Sequence, residues 1–284
     1  MALVDPAISQ VWALLQQGSA PWNVWRAKHP HVAIDFSYQN LSGADFSGYD
    51  MSRVSFHHAN LTGVHFVSAQ LVQANLSHAI LDAANFTNAN AAQADFTLVQ
   101  GQAVSLNMAD LRHTIWVGAS LPLVQLQGAM AAFANCIGAD VSHGNFRTAD
   151  LSFTNLERAN LSFANLQRVD LSEANLSKAT LYEADLVGAV LPNANLQGAN
   201  LVRSRFGGAY LSGVSLQNAT VLEADFRWSN LTRSDWSGAH TRQVQLSMAN
   251  LSWANLGGLD LRDSHTTQTN FRKAILLGCQ LPSS

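Results

Sequence analysis

One residue in five is large and apolar, and the count never slips. Stepping by five from Phe36 to Leu281 visits 50 positions, of which 29 are Leu, ten Phe and five Met, Val or Trp. Only Ala91, Gly101, Ala131, Cys136, Thr241 and Thr266 lack a large apolar side chain there. Two residues before these centres the residue is Ala in 29 of 50 repeats, and Asn or Asp dominates immediately before them. An α-helix cannot use this spacing, because five residues advance it by about 500° and leave successive centres about 140° apart. A straight strand sends alternate centres to opposite faces. The chain must therefore turn a corner once per repeat and wind into a solenoid. The centre and the small residue two before it point inward together, while the polar residues face out or build the corner.

The aromatic centres decide how many corners close a coil. Nine of the ten Phe centres and both Trp centres stand at numbers ending in 6, with Phe271 as the exception. Alternation between successive repeats needs an even number of sides, which favours a square over a triangle. A square coil takes about 20 residues, so about 12 coils stack at the ~4.8 Å strand spacing. Phe36, Phe56 and Phe96 then share one side, and Phe46, Phe66, Phe86, Phe206 and Phe226 the opposite one. Departures at 100–104, 130–136 and 265–269 predict bulges or thinner packing.

The stretch from Ala159, ANLSFANLQRVDLSEANLSKATLYEADL, repeats A(D/N)LXX without interruption. This pattern resembles the pentapeptide-repeat proteins of bacteria over roughly residues 31 to 283. The resemblance implies an all-β solenoid, a right-handed quadrilateral β-helix, over 31–284, with a short N-terminal helical cap over 1–30. It also implies a non-enzymatic protein–protein interaction scaffold. Some members bind type II topoisomerases such as gyrase as DNA-like rods and protect them from quinolones or toxins.

Residues 5–29 leave the register and read as helical. Asp5 is placed as an N-cap before Pro6, and Ile8, Val11, Trp12 and Leu15 form an apolar stripe. Gly18 stops it, and Ser19 and Pro21 start a second helix carrying Trp22 and Trp25. Trp12, Trp22 and Trp25 are the cap's anchors against the first coil, and the WNxWR pattern of Trp22, Asn23, Trp25 and Arg26 resembles segments that precede such repeats in bacteria. At the other end Ile275 and Leu277 occupy outward positions beside an uncovered strand edge. They predict a homodimer through residues of about 260–282.

Little else in the chain carries chemistry. Charged residues are 12% and net charge is −3, so no direct nucleic-acid contact is implied. A DNA mimic needs a dense acidic surface. Residues 31–200 hold 13 acids and six Lys/Arg, giving −7, whereas 201–284 hold five and eight, giving +3. No membrane-length apolar run or secretory signal is present, which predicts a cytoplasmic protein. Cys136 and Cys279 sit at inward positions, about seven coils apart, and read as reduced core residues. Glu183, Arg203 and Glu223 are expected to stack as a charge ladder. His58 and His78, with Tyr38 and His57, share an outer row, but no carboxylate or Cys completes a metal set there. No catalytic or cofactor motif is found, so no enzyme, metal or cofactor is expected. The outward aromatics Phe133, Phe153 and Trp253, on one outer row, are the candidate partner-binding residues, with Phe163, Tyr182 and Trp228 on others.

Overall fold

In the computed structural model residues 6–282 are described, with side chains from residue 11 onward. From Asp35 to Gln280 the backbone forms parallel bridges between residues 20 apart. Asp35 pairs with Ser55, Asn40 with Asn60, Asp45 with His65 and Asp50 with Gln70, and the same step recurs to Asp260 with Gln280. This is the β-helix expected from the aromatic alternation, with four bridges in each 20-residue coil. Extended strands are rare because the chain turns after every bridge. Among the described residues the only longer ones are β1 (Thr220–Leu222) and β2 (His240–Arg242), which pair in parallel.

The five-residue period is a hydrogen-bonding unit. In the repeat around Leu161, Asn160 N–H donates to Ala139 of the previous coil, and Leu161 and Phe163 donate to Thr180 and Tyr182 of the next. Ala164 N–H closes a turn onto Leu161 C=O. That leaves Ser162 N–H, which no carbonyl reaches, and the Asn160 Oδ1 accepts it at 3.1 Å. Asn and Asp dominate this position because a short side-chain acceptor is needed there. The same bond is made by Asp35, Asn60, Asn75 and Asp170, among others. Gln100 and Gln125 hold no such acceptor over the turn. There the exposed amides of Gln102 and Gln127 turn to Asp82 and Asn107 of the preceding coil.

The residue two after each centre lies in the left-handed region, φ 52–76°, at every repeat from Tyr38 to Gly278 except that of Asp263. This, with the closing hydrogen bond, marks type II turns. Non-glycine residues fill most of these corners at a cost of roughly 1–2 kcal/mol each, offset by the coil-to-coil bond their N–H groups make. Gly101 is the one centre without a side chain. A Cβ there would lie 2.8 Å from the backbone carbon of Leu81, so the chain dips inward and the turn bond to its C=O is lost.

Centres and small residues point inward as expected and form one continuous core. Phe66 is fully buried between Phe46 and Phe86, with ring centroids at 5.4 and 5.0 Å. Both Trp centres carry a hydroxyl two residues earlier in place of Ala, because a buried indole N–H needs an acceptor. Trp116 donates to Thr114 at 2.7 Å and Trp236 to Ser234 at 2.8 Å.

Helices α1 (Pro6–Leu15) and α2 (Ser19–Lys28) meet at Gly18, whose φ of 98° suits glycine. The cap assigned to Asp5 and the contacts of Ile8 lie outside the described residues. Side chains of α2 and Tyr49 join these helices to the first coils. Trp22 Nε1 donates to Asp50 C=O at 2.8 Å, and Asn23 both accepts from Asp50 N–H and donates to Gly48 C=O. Arg26, 4% exposed, donates to Val32 and Ser52 carbonyls. Tyr49 O–H returns a bond to Leu15 C=O, Trp12 packs on Phe36 at 5.1 Å, and Trp25 on Trp22 at 5.6 Å. The WNxWR residues thus occupy backbone groups that another coil would otherwise pair.

Replacing Phe66 by Asp puts a charge into the core and removes a stacked ring, so a loss of more than about 4 kcal/mol is expected in denaturant titration. Ser68→Asp, at an exposed left-handed corner that Asp tolerates, is expected to change stability by less than about 0.5 kcal/mol. Equal losses would contradict the inward and outward assignment.

Candidate functional site

The corner residues project from the turns and stack in rows along the stacking direction, one residue per coil. On the row running from His113 to Lys273, the rings of His113, Phe133 and Phe153 are parallel, with centroids 5.0 and 4.9 Å apart. Phe133 is 51% and Phe153 46% exposed. Trp253, five coils beyond Phe153 on the same row, is 55% exposed and carries the Lys273 ammonium 4.2 Å over its ring. Met108, Ile115 and Met130, on neighbouring rows beside His113 and Phe133, are also exposed. Met130 and Ile115 stand where Asn or Asp is usual. Phe163 and Trp228 are exposed on other rows, whereas Tyr182 is half-buried, edge-on to Phe163 and hydrogen-bonded by Arg203.

The core thins beneath this patch. Where Ala131 and Cys136 replace large centres, an apolar cavity of about 30 Å³ opens between Trp116, Leu126, Phe146 and Leu151. The thinner packing expected at 130–136 is located here. Turn bonds persist through this stretch and at 265–269, where Thr269 N–H still donates to Thr266. Burial pushes the Cys136 thiol up to about 12, and burial also raises Cys279. Both cysteines are free.

Some of the charged residues are paired with one another. Arg203 contacts Glu223 at 2.9 Å and Glu183 at 3.5 Å, and Arg242 extends the ladder at 3.6 Å from Glu223. Hydrogen bonds from Arg203 hold the Glu223 carboxyl below its ordinary value. Two shallow concavities share one side, at the inward dip of Gly101 and beside Thr241. In the first, Asp82 is taken by Gln102 N–H; in the second, Arg262 is forked onto Asp260 at 2.9 and 2.6 Å. Neither contains a free acid or base beside a nucleophile.

Tyr38, His58 and His78 form the expected outer row, with ring centroids 5.1 and 4.5 Å apart and planes within 23°. Stacked face to face, the imidazoles do not aim their nitrogens at a shared point. Among the described residues no three ligating groups are placed to hold a metal. Desolvation, with His57 and His78 nearby, keeps His58 below the usual histidine value. At the C-terminal edge Ile275 and Leu277 are 57% and 86% exposed, flanking a half-buried Leu276. No helix among the described residues is long and apolar enough to cross a membrane.

The sequence profile of the family described as Pentapeptide repeats matches residues 33–66 and 69–100, and overlapping matches run from 132 to 284. No curated protein matches the chain. Among solved structures it is similar to HetL, a pentapeptide repeat protein involved in heterocyst differentiation regulation from the cyanobacterium Nostoc sp. strain PCC 7120. The two are 25% identical over 92% of this chain and 96% of that one, with a TM-score of 0.42. QnrB1, a plasmid-mediated fluoroquinolone resistance protein, is 18% identical over 60% of this chain and 92% of its own, with a TM-score of 0.30. Rfr23 from the cyanobacterium Cyanothece 51142 is 24% identical over 50% and 90%, with a TM-score of 0.26.

Cys136→Val exchanges the thiol for two methyl groups and fills most of the 30 Å³ void. At about 24 cal/mol per Å³ a gain of roughly 0.7 kcal/mol is expected in denaturant titration. A loss of stability would show that the site is already close-packed.

Proposed function

The chain belongs to the pentapeptide-repeat family, and from that premise we propose that it is a non-enzymatic scaffold that holds a protein partner on its outer surface. The observation that carries this reading is the exposed apolar cluster of Met108, Ile115, Met130, Phe133 and Phe153. Stacking of His113, Phe133 and Phe153 on one another still leaves Phe133 and Phe153 about half exposed. A partner that desolvates them recovers hydrophobic and packing energy, as aromatic anchors at interfaces do. Glu183, Arg203, Glu223 and Arg242 are engaged in one ladder, and Asp225 and Asp260 are each held by an arginine two residues on. A cytoplasmic location fits two free cysteines with thiols raised by burial.

One observation favours a second reading, a DNA-mimicking rod that binds a type II topoisomerase. This is the net −7 over residues 31–200. It is the weaker reading, because those acids are spread over every side of the coil and Asp110 is already neutralised by Arg112 at 2.6 Å. In a supercoiling assay with purified gyrase and a quinolone, no protection is expected.

Affinity capture from a lysate of the source cells, wild type beside Phe133→Ser with Phe153→Ser, tests the first reading. A protein held by wild type and lost by the double variant, with both chains equally folded by circular dichroism, is the expected result. A partner held equally by both contradicts it.

A further inference from the structure

The row of corner residues that carries Phe133 and Phe153 starts with Arg53, Gln73 and Gln93 and continues, coil by coil, His113, Phe133, Phe153, Glu173, Asn193, Gly213, Arg233, Trp253, Lys273. From Phe133 to Lys273 the row is complementary to itself when reversed, with Arg53, Gln73, Gln93 and His113 lying beyond the overlap. About a point midway between Asn193 and Gly213, small Asn193 opposes small Gly213 and Glu173 opposes Arg233. Further out Phe153 opposes Trp253, and Phe133 opposes Lys273. From this we infer that a second copy of the chain docks along this corner, antiparallel and side by side, about a two-fold axis at the level of Asn193 and Gly213. The inference rests on the scaffold reading above and names an occupant for the same surface.

Several features converge on this register. Both members of the ion pair are exposed, and among the described residues neither Glu173 nor Arg233 forms an ion pair within its own chain. At the axis the neighbouring row places Val190 against exposed Tyr210, and no charge lies on these corners between Glu173 and Arg233. The absence of long side chains at Asn193 and Gly213 lets the two corners approach. Rows in both copies share the ~4.8 Å coil spacing, so one matched pair brings the others into step.

Other registers lose the match. A shift of the axis by half a coil to Asn193, which slips the two rows by one coil, sets Glu173 against Gly213 and Phe153 against Arg233, and the ion pair disappears. A parallel arrangement opposes each residue to itself, which places Glu173 on Glu173, Arg233 on Arg233 and Lys273 on Lys273. The corner opposite, from Leu123 to Gln243, has spent Glu183, Arg203 and Glu223 within the chain. Isologous antiparallel pairing is the solution that satisfies both charge and apolar exposure.

The contact is a strip about 35 Å long and one to two side chains wide, which buries about 450 Å² per copy, near half the usual 800 Å². A dimer in the micromolar range is therefore expected, more stable at low salt than at high salt. Sedimentation velocity from about 1 to 500 µM measures it. Arg233→Glu sets carboxylates against each other, and an at least tenfold weaker dimer is expected. Glu173→Arg with Arg233→Glu exchanges the charges and is expected to restore dimerisation to within about threefold of wild type. Ile275→Asp with Leu277→Lys is expected to leave it unchanged. A wild type monomeric throughout, a dimer indifferent to Arg233→Glu, or an exchange that fails to rescue overturns the inference. So does loss of the dimer in the Ile275→Asp, Leu277→Lys variant, which would assign association to the C-terminal edge. A monomeric wild type that still loses a captured partner through Phe133→Ser with Phe153→Ser would leave the scaffold reading intact.

Discussion

One backbone N–H in each repeat has no carbonyl to meet, and the rest of the structure is arranged around that fact. Coil-to-coil bonding uses three amides of every five, and the turn uses a fourth. The fifth, one residue after the centre, faces the side chain of the residue before the centre, as Ser162 faces Asn160 at 3.1 Å. With that acceptor in place a chain can turn every five residues without orphaned donors in a half-buried corner. The turn in turn keeps the centre and the small residue on the same inward side, so the core follows from the corner. The Ser or Thr that often occupies the donor's position adds a second bond to the same oxygen, as Ser152 does on Asp150.

Because the backbone is satisfied by this arrangement alone, the corner side chains are released from structural duty. Every non-glycine residue there bears the cost of a left-handed conformation, so its identity reflects the surface. Exposed rings stand at Phe133, Phe153 and Trp253, and exposed aliphatics where Asn or Asp is usual, as at Ile115 and Met130. The thin core at Ala131 and Cys136 lies behind the same patch. A partner or second copy pressing on this segment meets its least tightly filled part.

Much of this was legible in the residues. The fivefold spacing excludes helix and plain strand, and the placement of Phe and Trp at alternate repeats gives the even-sided coil that the 20-residue bridges display. Ala131, Cys136 and Gly101 mark weak centres, and two of these sites prove to be a cavity and an inward dip. The left-handed corner was only partly announced: 13 of the 18 glycines stand there, but Arg, His, Phe and Glu fill many of the others. The purpose of WNxWR was also hidden: Asn23 and Arg26 bind backbone atoms 25 to 26 residues away, which no local pattern encodes. The pairing of Tyr182 with Arg203 escaped for a similar reason, since it crosses from one row to the next.

The claim that a side-chain acceptor holds the corners that carry Asn or Asp is tested most directly at Asn60, whose Oδ1 accepts from Thr62 N–H at 3.0 Å. Asn60→Ala removes the acceptor, and Asn60→Asp keeps it. The account predicts a loss of about 1–2 kcal/mol for the alanine variant, near-wild-type stability for the aspartate variant, and faster hydrogen exchange at the Thr62 amide in the first alone. Equal stability in both variants, with the Thr62 amide equally protected, would contradict it.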